Sequence, residues 1–141
     1  MEDLDQALLA LLQANARTSV AELSRQLKVS RATVQEHINR LERRQIIQGY
    51  TLRYHPEHRQ RQVCAYVMVE VDAKRNAAIV RQIQAIAEVE QLQTISGSFD
   101  LMAFVRTDST QALDTVIDRL GELEGVDKTL SSVVLATKFQ R

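Results

Sequence analysis

The sequence has few of the residues that would cross-link or anchor a protein: Cys64 is its only cysteine and Pro56 its only proline among 141 residues. A single cysteine excludes an intrachain disulfide and favours a reducing compartment. No charged leader followed by an apolar stretch opens the chain, and no apolar run approaches the roughly 18 residues of a membrane span. We therefore expect a cytoplasmic protein without a membrane partner.

Histidine is missing from residues 63–141, since His37, His55 and His58 all lie upstream. His55, His58 and Cys64 match no standard zinc spacing and lack a fourth ligand. No Ser-His-Asp or Cys-His arrangement for nucleophilic catalysis stands out either. We predict no metal site, no cofactor and no catalytic residue.

Neither sign of charge is in excess, because 18 basic and 18 acidic residues give a net charge of zero. The charges are unevenly placed, however. Residues 17–61 hold ten Lys or Arg against four acids, a local excess of six positive charges. A basic segment beside an acidic remainder fits nucleic-acid contact by one part of the chain. The alternative is an ordinary solvated charged face.

The first 44 residues carry apolar residues at helical spacing, which predicts three helices, over about 4–15, 20–27 and 31–44. Ser19 and Glu22 match a capping box before the second helix, and Ser30 is placed to cap the third. The short turn between these two helices is typical of a helix-turn-helix, whose second helix enters the major groove of DNA.

The solvent side of the third predicted helix supplies candidate DNA contacts. Arg pairs with guanine edges, Gln with adenine edges, and Thr with the thymine methyl group. We predict base contacts from Arg31, Thr33, Gln35 and Glu36. We predict phosphate contacts from Arg17, Ser19, Arg40, Arg43 and Arg44, and Ser30 joins the DNA-binding set at the start of the helix. For each residue the alternative is an ordinary helix surface.

Residues 46–52 are apolar and β-branched, and they predict a strand that makes the motif a winged helix-turn-helix. Residues 53–62 hold the proline and a polar, charged run, which is the best linker in the sequence. We therefore divide the chain into a helix-turn-helix domain over 1–50, a strand and linker over 51–62, and a second domain over 63–141.

The second domain shows the pattern β-α-β-β-α-β of a ferredoxin-like fold, so the fold class is α+β. The strands are predicted over 63–71, 90–96, 99–107 and 126–139, and the helices over 76–89 and from Asp108 or Ser109 to Leu123. Gly97-Ser98 predicts a tight turn between the two middle strands. The sheet face without helices would carry apolar residues that a second subunit covers, namely Tyr66, Met68, Leu92, Met102 and Phe104 or their alternates.

Four segments in order give the chain a resemblance to a known family over its whole length: LDQALLALLQANARTSVAELSRQLKVS, RLERRQIIQGY, TISGSFDLMAFVRTD and GVDKTLSSVVL. They resemble the Lrp/AsnC, or feast/famine, transcriptional regulators. The resemblance implies sequence-specific binding to double-stranded DNA and a homodimer formed through the C-terminal sheets. It also implies a higher oligomer, an octamer, and a small effector, an amino acid, bound between subunits.

The family's glycine-x-aromatic-aspartate signature falls on Gly97, Phe99 and Asp100, so the resemblance maps the effector to one loop. The implied site is Ser96, Gly97, Ser98, Phe99 and Asp100, with Ser131 contributed by a neighbouring chain. Backbone N–H groups of a glycine turn suit a carboxylate, and an aspartate accepts hydrogen bonds from an ammonium group. The alternative is that Gly97 and Asp100 only shape a turn.

The sequence departs from the family pattern at three positions. Lys28 and Gln45 stand where the family usually has glycine, and a left-handed residue there costs on the order of 1–2 kcal/mol. Phe99 stands where tyrosine is common, which removes a hydroxyl from the implied pocket. Two other functions remain open: a DNA-compacting architectural protein without an effector, and a tetrapyrrole decarboxylase-like enzyme, which shares the two-module architecture.

Overall fold

The computed structural model describes residues 3–59 and 61–141. The chain forms two compact units, Met1–Arg53 and Tyr54–Arg141. Each unit has its own hydrophobic core.

The first unit consists of three helices, α1 (Asp3–Ala14), α2 (Val20–Leu27) and α3 (Arg31–Arg43), which confirms the three predicted helices. The apolar spacing that predicted them also builds the core, because each helix turns one face to the other two. The buried residues of this core are Leu8, Leu12, Leu23, Val34, Ile38 and Leu41.

Serine side chains hold the starts of α2 and α3 as predicted. The Ser19 Oγ accepts from the Glu22 N–H at 3.1 Å, and the Ser30 Oγ accepts from the Thr33 N–H at 3.1 Å. The reciprocal half of the predicted capping box is wrong. The Glu22 carboxylate pairs instead with Arg25 and with Gln26, one turn further along the helix. A charged partner at that spacing competes successfully with the backbone N–H of Ser19.

Two non-glycine residues adopt left-handed backbone conformations in this unit. Lys28 ends α2 with φ 57° and ψ 41°, and Gln45 follows α3 with φ 57°. Both are the positions where the resemblance led us to expect glycine. The chain therefore keeps the backbone geometry of the motif and tolerates the steric cost of a Cβ in this region.

The predicted strand over residues 46–52 is wrong for this single chain. The N–H groups of Ile46 and Ile47 both donate to the Leu41 carbonyl, at 3.0 and 3.1 Å, and so close the end of α3. Residues 48–55, all of them described, form no regular element. A strand needs a neighbouring strand to pair with, and a unit made of three helices supplies none.

The second unit is a four-stranded sheet with two helices, in the predicted order β-α-β-β-α-β. The elements are β1 (Val63–Val71), α4 (Asn76–Gln84), β2 (Val89–Thr94), β3 (Leu101–Thr107), α5 (Thr110–Glu122) and β4 (Val126–Val133). All neighbouring strands are antiparallel, and their spatial order is β2-β3-β1-β4. This is the ferredoxin-like arrangement, and the α+β fold class is confirmed.

Three predicted boundaries of the second unit are wrong. The helix α4 ends at Gln84 and not near 89, because residues 85–88 reverse the chain into β2. The strand β4 ends at Val133 and not at 139, because Ala65, the partner of Val133, lies near the start of β1. The middle strands are joined by a six-residue loop over 95–100 and not by a two-residue turn.

The sheet is buried on the face that α4 and α5 cover and open on the other face. Ala65, Val67 and Val69 of β1 face the helices and are fully buried. The open face carries Tyr66, Met68, Met102, Phe104 and Leu130, with Tyr66 43% and Leu130 47% exposed. The expectation for Leu92 is wrong: it pairs with Ala103 and packs on the core, since β2 has a bulge between Val89 and Gln91.

Candidate functional site

The exposed surface of α3 is the first candidate site. Val34 and Ile38 anchor the opposite face of the helix in the core, so Arg31, Gln35 and Glu36 are exposed to solvent. The Gln35 Nε2 donates to the Asn39 Oδ1 at 2.8 Å, which orders this surface along the helix. Three of the four predicted base-contacting side chains are therefore accessible on the surface of α3.

The predicted hydroxyl contacts have structural roles at the helix starts. Ser19 and Ser30 cap α2 and α3, and the Thr33 hydroxyl lies 2.8 Å from the Ser30 hydroxyl. The half-buried Thr33 is therefore turned toward the cap. Of the predicted phosphate-contacting arginines, Arg17, Arg43 and Arg44 are exposed. Arg43 is the last residue of α3, and Arg44 is the C-cap residue of that helix.

Arg40 differs from the other arginines because it contacts a buried carboxylate. Its Nη2 lies 2.8 Å from the Oδ2 of Asp5 in α1, and Asp5 is only 2% exposed. The His37 Nδ1 lies 2.7 Å from the other carboxylate oxygen, Oδ1. The Arg40 guanidinium therefore joins α3 to α1, a role that the predicted phosphate contact did not include.

The hydrogen bond from His37 holds the pKa of Asp5 below its ordinary value, with burial acting in the opposite direction and Arg40 adding to the lowering. Asp5 is therefore ionised at neutral pH. The sequence did not reveal that Asp5 binds side chains of α3, because an Asp in the first turn of a helix is expected to interact with the positive end of the helix dipole. The available signal was its spacing, since Asp5 lies on the same stripe as Leu8 and Leu12.

The loop over residues 95–100 is the second candidate site. Gly97 has φ 109°, which only glycine adopts without strain, and apart from Gly97 and its two chain neighbours no described atom lies within 4 Å of the position a Cβ would take. Ser96, Gly97 and Ser98 are exposed, whereas Phe99 and Asp100 are half-buried.

Asp100 ties the loop to the end of β1. Its N–H donates to the Val69 carbonyl at 3.0 Å, and its Oδ2 accepts from the Val71 N–H at 2.9 Å. The Ile95 N–H also donates to the Asp100 carbonyl at 3.0 Å, which closes the loop. Asp100 therefore shapes the loop, and one of its two carboxylate oxygens is engaged by the Val71 N–H.

A single chain does not bring Ser131 to this loop. Ser131 pairs with Val67 on β4, whereas the loop contacts β1 at Val69 and Val71. Lys128 is closer: its Nζ lies 5.8 Å from the centre of the Phe99 ring. Lys128 was missed in the sequence because only the strand order places the start of β4 near the loop.

Within residues 3–59 and 61–141, no helix is long and apolar enough to cross a membrane. The same described ranges contain no group of three or more His, Cys, Asp or Glu side chains that could hold a metal ion.

Comparison with known protein families identifies the type of domain that carries each candidate site. Residues 64–141 match the model of the Lrp/AsnC ligand binding domain, and residues 1–48 match that of a winged helix-turn-helix DNA-binding domain. The chain belongs to the Lrp/AsnC family. It is a transcriptional regulator with a DNA-binding helix-turn-helix and a ligand-binding domain, and it is not an enzyme, which removes the decarboxylase alternative.

Individual Lrp/AsnC relatives align over almost the whole chain. The HTH-type transcriptional regulator LysM of Saccharolobus solfataricus is 31% identical over 140 residues, which cover 99% of this chain and 96% of that protein. The structure of Escherichia coli AsnC superposes with a TM-score of 0.87 at 24% identity, covering 100% of this chain and 96% of that one. A feast or famine regulatory protein of Mycobacterium tuberculosis complexed with L-methionine gives 0.86 at 28% identity, covering 99% and 95%.

Proposed function

We propose that this Lrp/AsnC protein is a sequence-specific DNA-binding regulator whose oligomeric assembly responds to a small effector, an amino acid. The DNA part is supported by the exposed surface of α3, where Arg31, Gln35 and Glu36 are all open to solvent. The observation that carries the effector part is the glycine loop over 95–100, tied to the sheet through Asp100.

Base recognition would use the N-terminal part of α3 in the major groove. Arg31 suits the O6 and N7 of guanine, Gln35 suits the N6 and N7 of adenine, and Glu36 suits the amino group of cytosine. Arg17, Arg43 and Arg44 are exposed cations that suit phosphates and would set the register of the helix on the duplex. We propose that this DNA-binding regulator acts in the cytoplasm.

Dimer formation would cover the open face of the sheet. An aromatic pair, Tyr66 and Phe104, lies at its centre with ring centroids 5.1 Å apart. The methionines Met68 and Met102 continue the apolar patch. Such a patch is costly to leave in water, and a second copy of the chain covers it by two-fold symmetry. Two helix-turn-helix units would then meet two half-sites, and dimers would assemble further into an octamer.

Effector binding would place an amino acid against the 95–100 loop at a subunit interface. The M. tuberculosis relative is complexed with L-methionine, which supports an amino acid as the ligand class. The turn at Gly97 suits a carboxylate, Asp100 suits an ammonium group, and Ser131 would come from a neighbouring chain. Lys128, beside Phe99, adds a second cation for the carboxylate.

The experiment is a binding titration of the full chain against the DNA upstream of its own gene and against a scrambled duplex. Each titration is repeated over a series of salt concentrations and with each amino acid. We expect tighter binding to the upstream DNA, a negative salt slope on both duplexes, and a change in affinity with at least one amino acid. Equal affinity for both duplexes would contradict sequence-specific recognition. A DNA-compacting protein without an effector would show no response to any amino acid.

A further inference from the structure

The buried carboxylate of Asp5 has no assigned role in DNA binding. Among residues 3–59 and 61–141, only Asp5 and Thr107 are polar and buried. Both oxygens of Asp5 contact α3: Oδ1 lies 2.7 Å from the His37 Nδ1, and Oδ2 lies 2.8 Å from the Arg40 Nη2. The DNA-recognition helix is thus joined to α1 through one anion.

A buried carboxylate binds its cation strongly because removing the partner leaves an uncompensated charge out of water. The Arg40 Nη2 also lies 3.0 Å from the His37 Nδ1, so these two contacts hold this nitrogen toward α1. Drawing the Arg40 guanidinium toward a phosphate would pull its Nη2 away from Asp5 and leave that buried carboxylate with His37. Arg44 faces no such competition, since it is exposed at the end of the same helix. Arg40 within α3 and Arg44 at its C-cap therefore differ in their availability to DNA.

We propose that Asp5 is a positioning residue that holds Arg40 away from the DNA backbone and so limits the sequence-independent affinity of the helix-turn-helix. The inference rests on the proposed DNA recognition by α3. Phosphate contacts supply nearly all non-specific binding, and each one steepens the salt dependence. A regulator that must find few sites among many competing ones benefits from fewer such contacts.

The test compares Asp5→Asn, Arg40→Gln and the double variant with the wild-type chain. The probe is a random-sequence duplex of about 21 base pairs, two helical turns, and the dissociation constant is measured over a range of salt. Asp5→Asn keeps the side-chain shape and removes the charge. We expect it to bind about 3- to 10-fold more tightly at ~0.1 M salt, with a slope steeper by about 0.9.

The remaining variants assign this gain to Arg40. Arg40→Gln alone should leave the slope unchanged, and the double variant should match Arg40→Gln. Arg44→Gln is the matched control, and it should lose about 0.9 from the slope. A purely structural role of Asp5 predicts weaker binding of Asp5→Asn, so a gain in affinity separates the two roles.

Two results overturn the proposal. The first is a salt slope in Asp5→Asn that is unchanged or shallower than in the wild type. The second is a decrease in the salt slope of Arg40→Gln equal to the decrease in Arg44→Gln. If Asp5→Asn does not fold by circular dichroism, the comparison of Arg40→Gln with Arg44→Gln decides alone, because the contact of Asp5 with His37 remains. Wild-type binding without salt dependence or sequence preference would instead contradict the proposed function itself.

Discussion

The Asp100 carboxylate accepts a hydrogen bond from the Val71 N–H at 2.9 Å, so the loop over 95–100 is fixed to the last residue of β1. The neighbouring bond from the Asp100 N–H to the Val69 carbonyl fixes the same loop from its backbone. A ligand that engages Asp100 therefore acts on β1, one of the two central strands of the sheet, which also carries Tyr66 on the open face. This connects the proposed effector site to the proposed dimer surface.

Asp100 is expected to have two separable roles. Asp100→Ala removes the acceptor for the Val71 N–H and should destabilise the domain by about 1–2 kcal/mol in urea unfolding. Asp100→Asn keeps an acceptor but removes the charge, so it should cost less stability and still abolish the effector-induced thermal shift. The control is Asp127→Asn, an exposed aspartate of β4. A full effector response in Asp100→Asn would exclude Asp100 as the ammonium partner.

Acid unfolding should reveal the contribution of Asp5. Its hydrogen bond with His37, followed by Arg40, lowers the folded-state pKa below the ordinary value of 3.8, although burial opposes this shift. The corresponding stability is present above that value and is lost as pH falls through the lower folded-state pKa. The stability difference between wild type and Asp5→Asn should therefore be constant near neutral pH and shrink below about pH 4.

The control for this acid series is Asp3→Asn, which changes an exposed carboxylate in the same turn of α1. Its difference from wild type should stay small over the whole range. A stability difference between wild type and Asp5→Asn that grows toward acid pH would show that the pair with His37 and Arg40 is not formed.

Replacing the two left-handed residues by glycine should stabilise the first unit. Lys28→Gly and Gln45→Gly relieve the steric cost of a Cβ at φ 57°, offset in part by the entropy of glycine in the unfolded chain. We expect a gain of up to about 1 kcal/mol each in thermal or urea unfolding. Ala10→Gly, at an exposed position in the middle of α1, should instead lose about 1 kcal/mol. Destabilisation by both loop variants would contradict the left-handed geometry.

Substitutions on α3 should separate base contacts from phosphate contacts. Arg31→Ala should cost about 1–3 kcal/mol on the cognate duplex and relax the preference at one base position. Arg44→Ala should weaken cognate and scrambled duplexes alike. The measurement is the ratio of the two affinities at one salt concentration. If the ratio of cognate to scrambled affinity is unchanged in Arg31→Ala, base recognition does not use this part of α3.

A charge placed on the open sheet face should disrupt the dimer. Tyr66→Glu puts a carboxylate at the centre of the apolar patch, at a position 43% exposed in the single chain, so folding should be retained. Sedimentation velocity should show a smaller species than the wild type. Gln111→Glu, on the exposed side of α5, is the matched control and should leave the assembly intact. An unchanged assembly in Tyr66→Glu would show that copies associate through another surface.

Local patterns predicted what depends on nearby residues. Ser30 was identified as a helix cap because its acceptor role spans only three positions, and the helices followed from the spacing of residues such as Leu23 and Val34. The alternation in β1 placed Ala65, Val67 and Val69 on the buried face for the same reason.

Contacts between residues that are far apart in the sequence could not be predicted from local patterns. The end of β4 at Val133 depends on where β1 begins, and the strand expected over 46–52 depended on a partner strand that its unit lacks. Asp5 meets Arg40 across 35 positions of sequence, and Lys128 reaches Phe99 only through the strand order. Each of these relations is fixed by the assembled fold and not by any local pattern.

The central claim is that an amino acid changes DNA binding through the assembly of this protein. The most direct measurement is the affinity for the upstream duplex as a function of the concentration of an amino acid that raises the thermal midpoint. At 100 times its dissociation constant such a ligand adds about 2.7 kcal/mol of stability. We predict that DNA affinity and sedimentation coefficient change with the same midpoint, and that DNA changes the ligand affinity by the same factor. A ligand that stabilises the protein while DNA affinity and assembly stay constant would contradict the account.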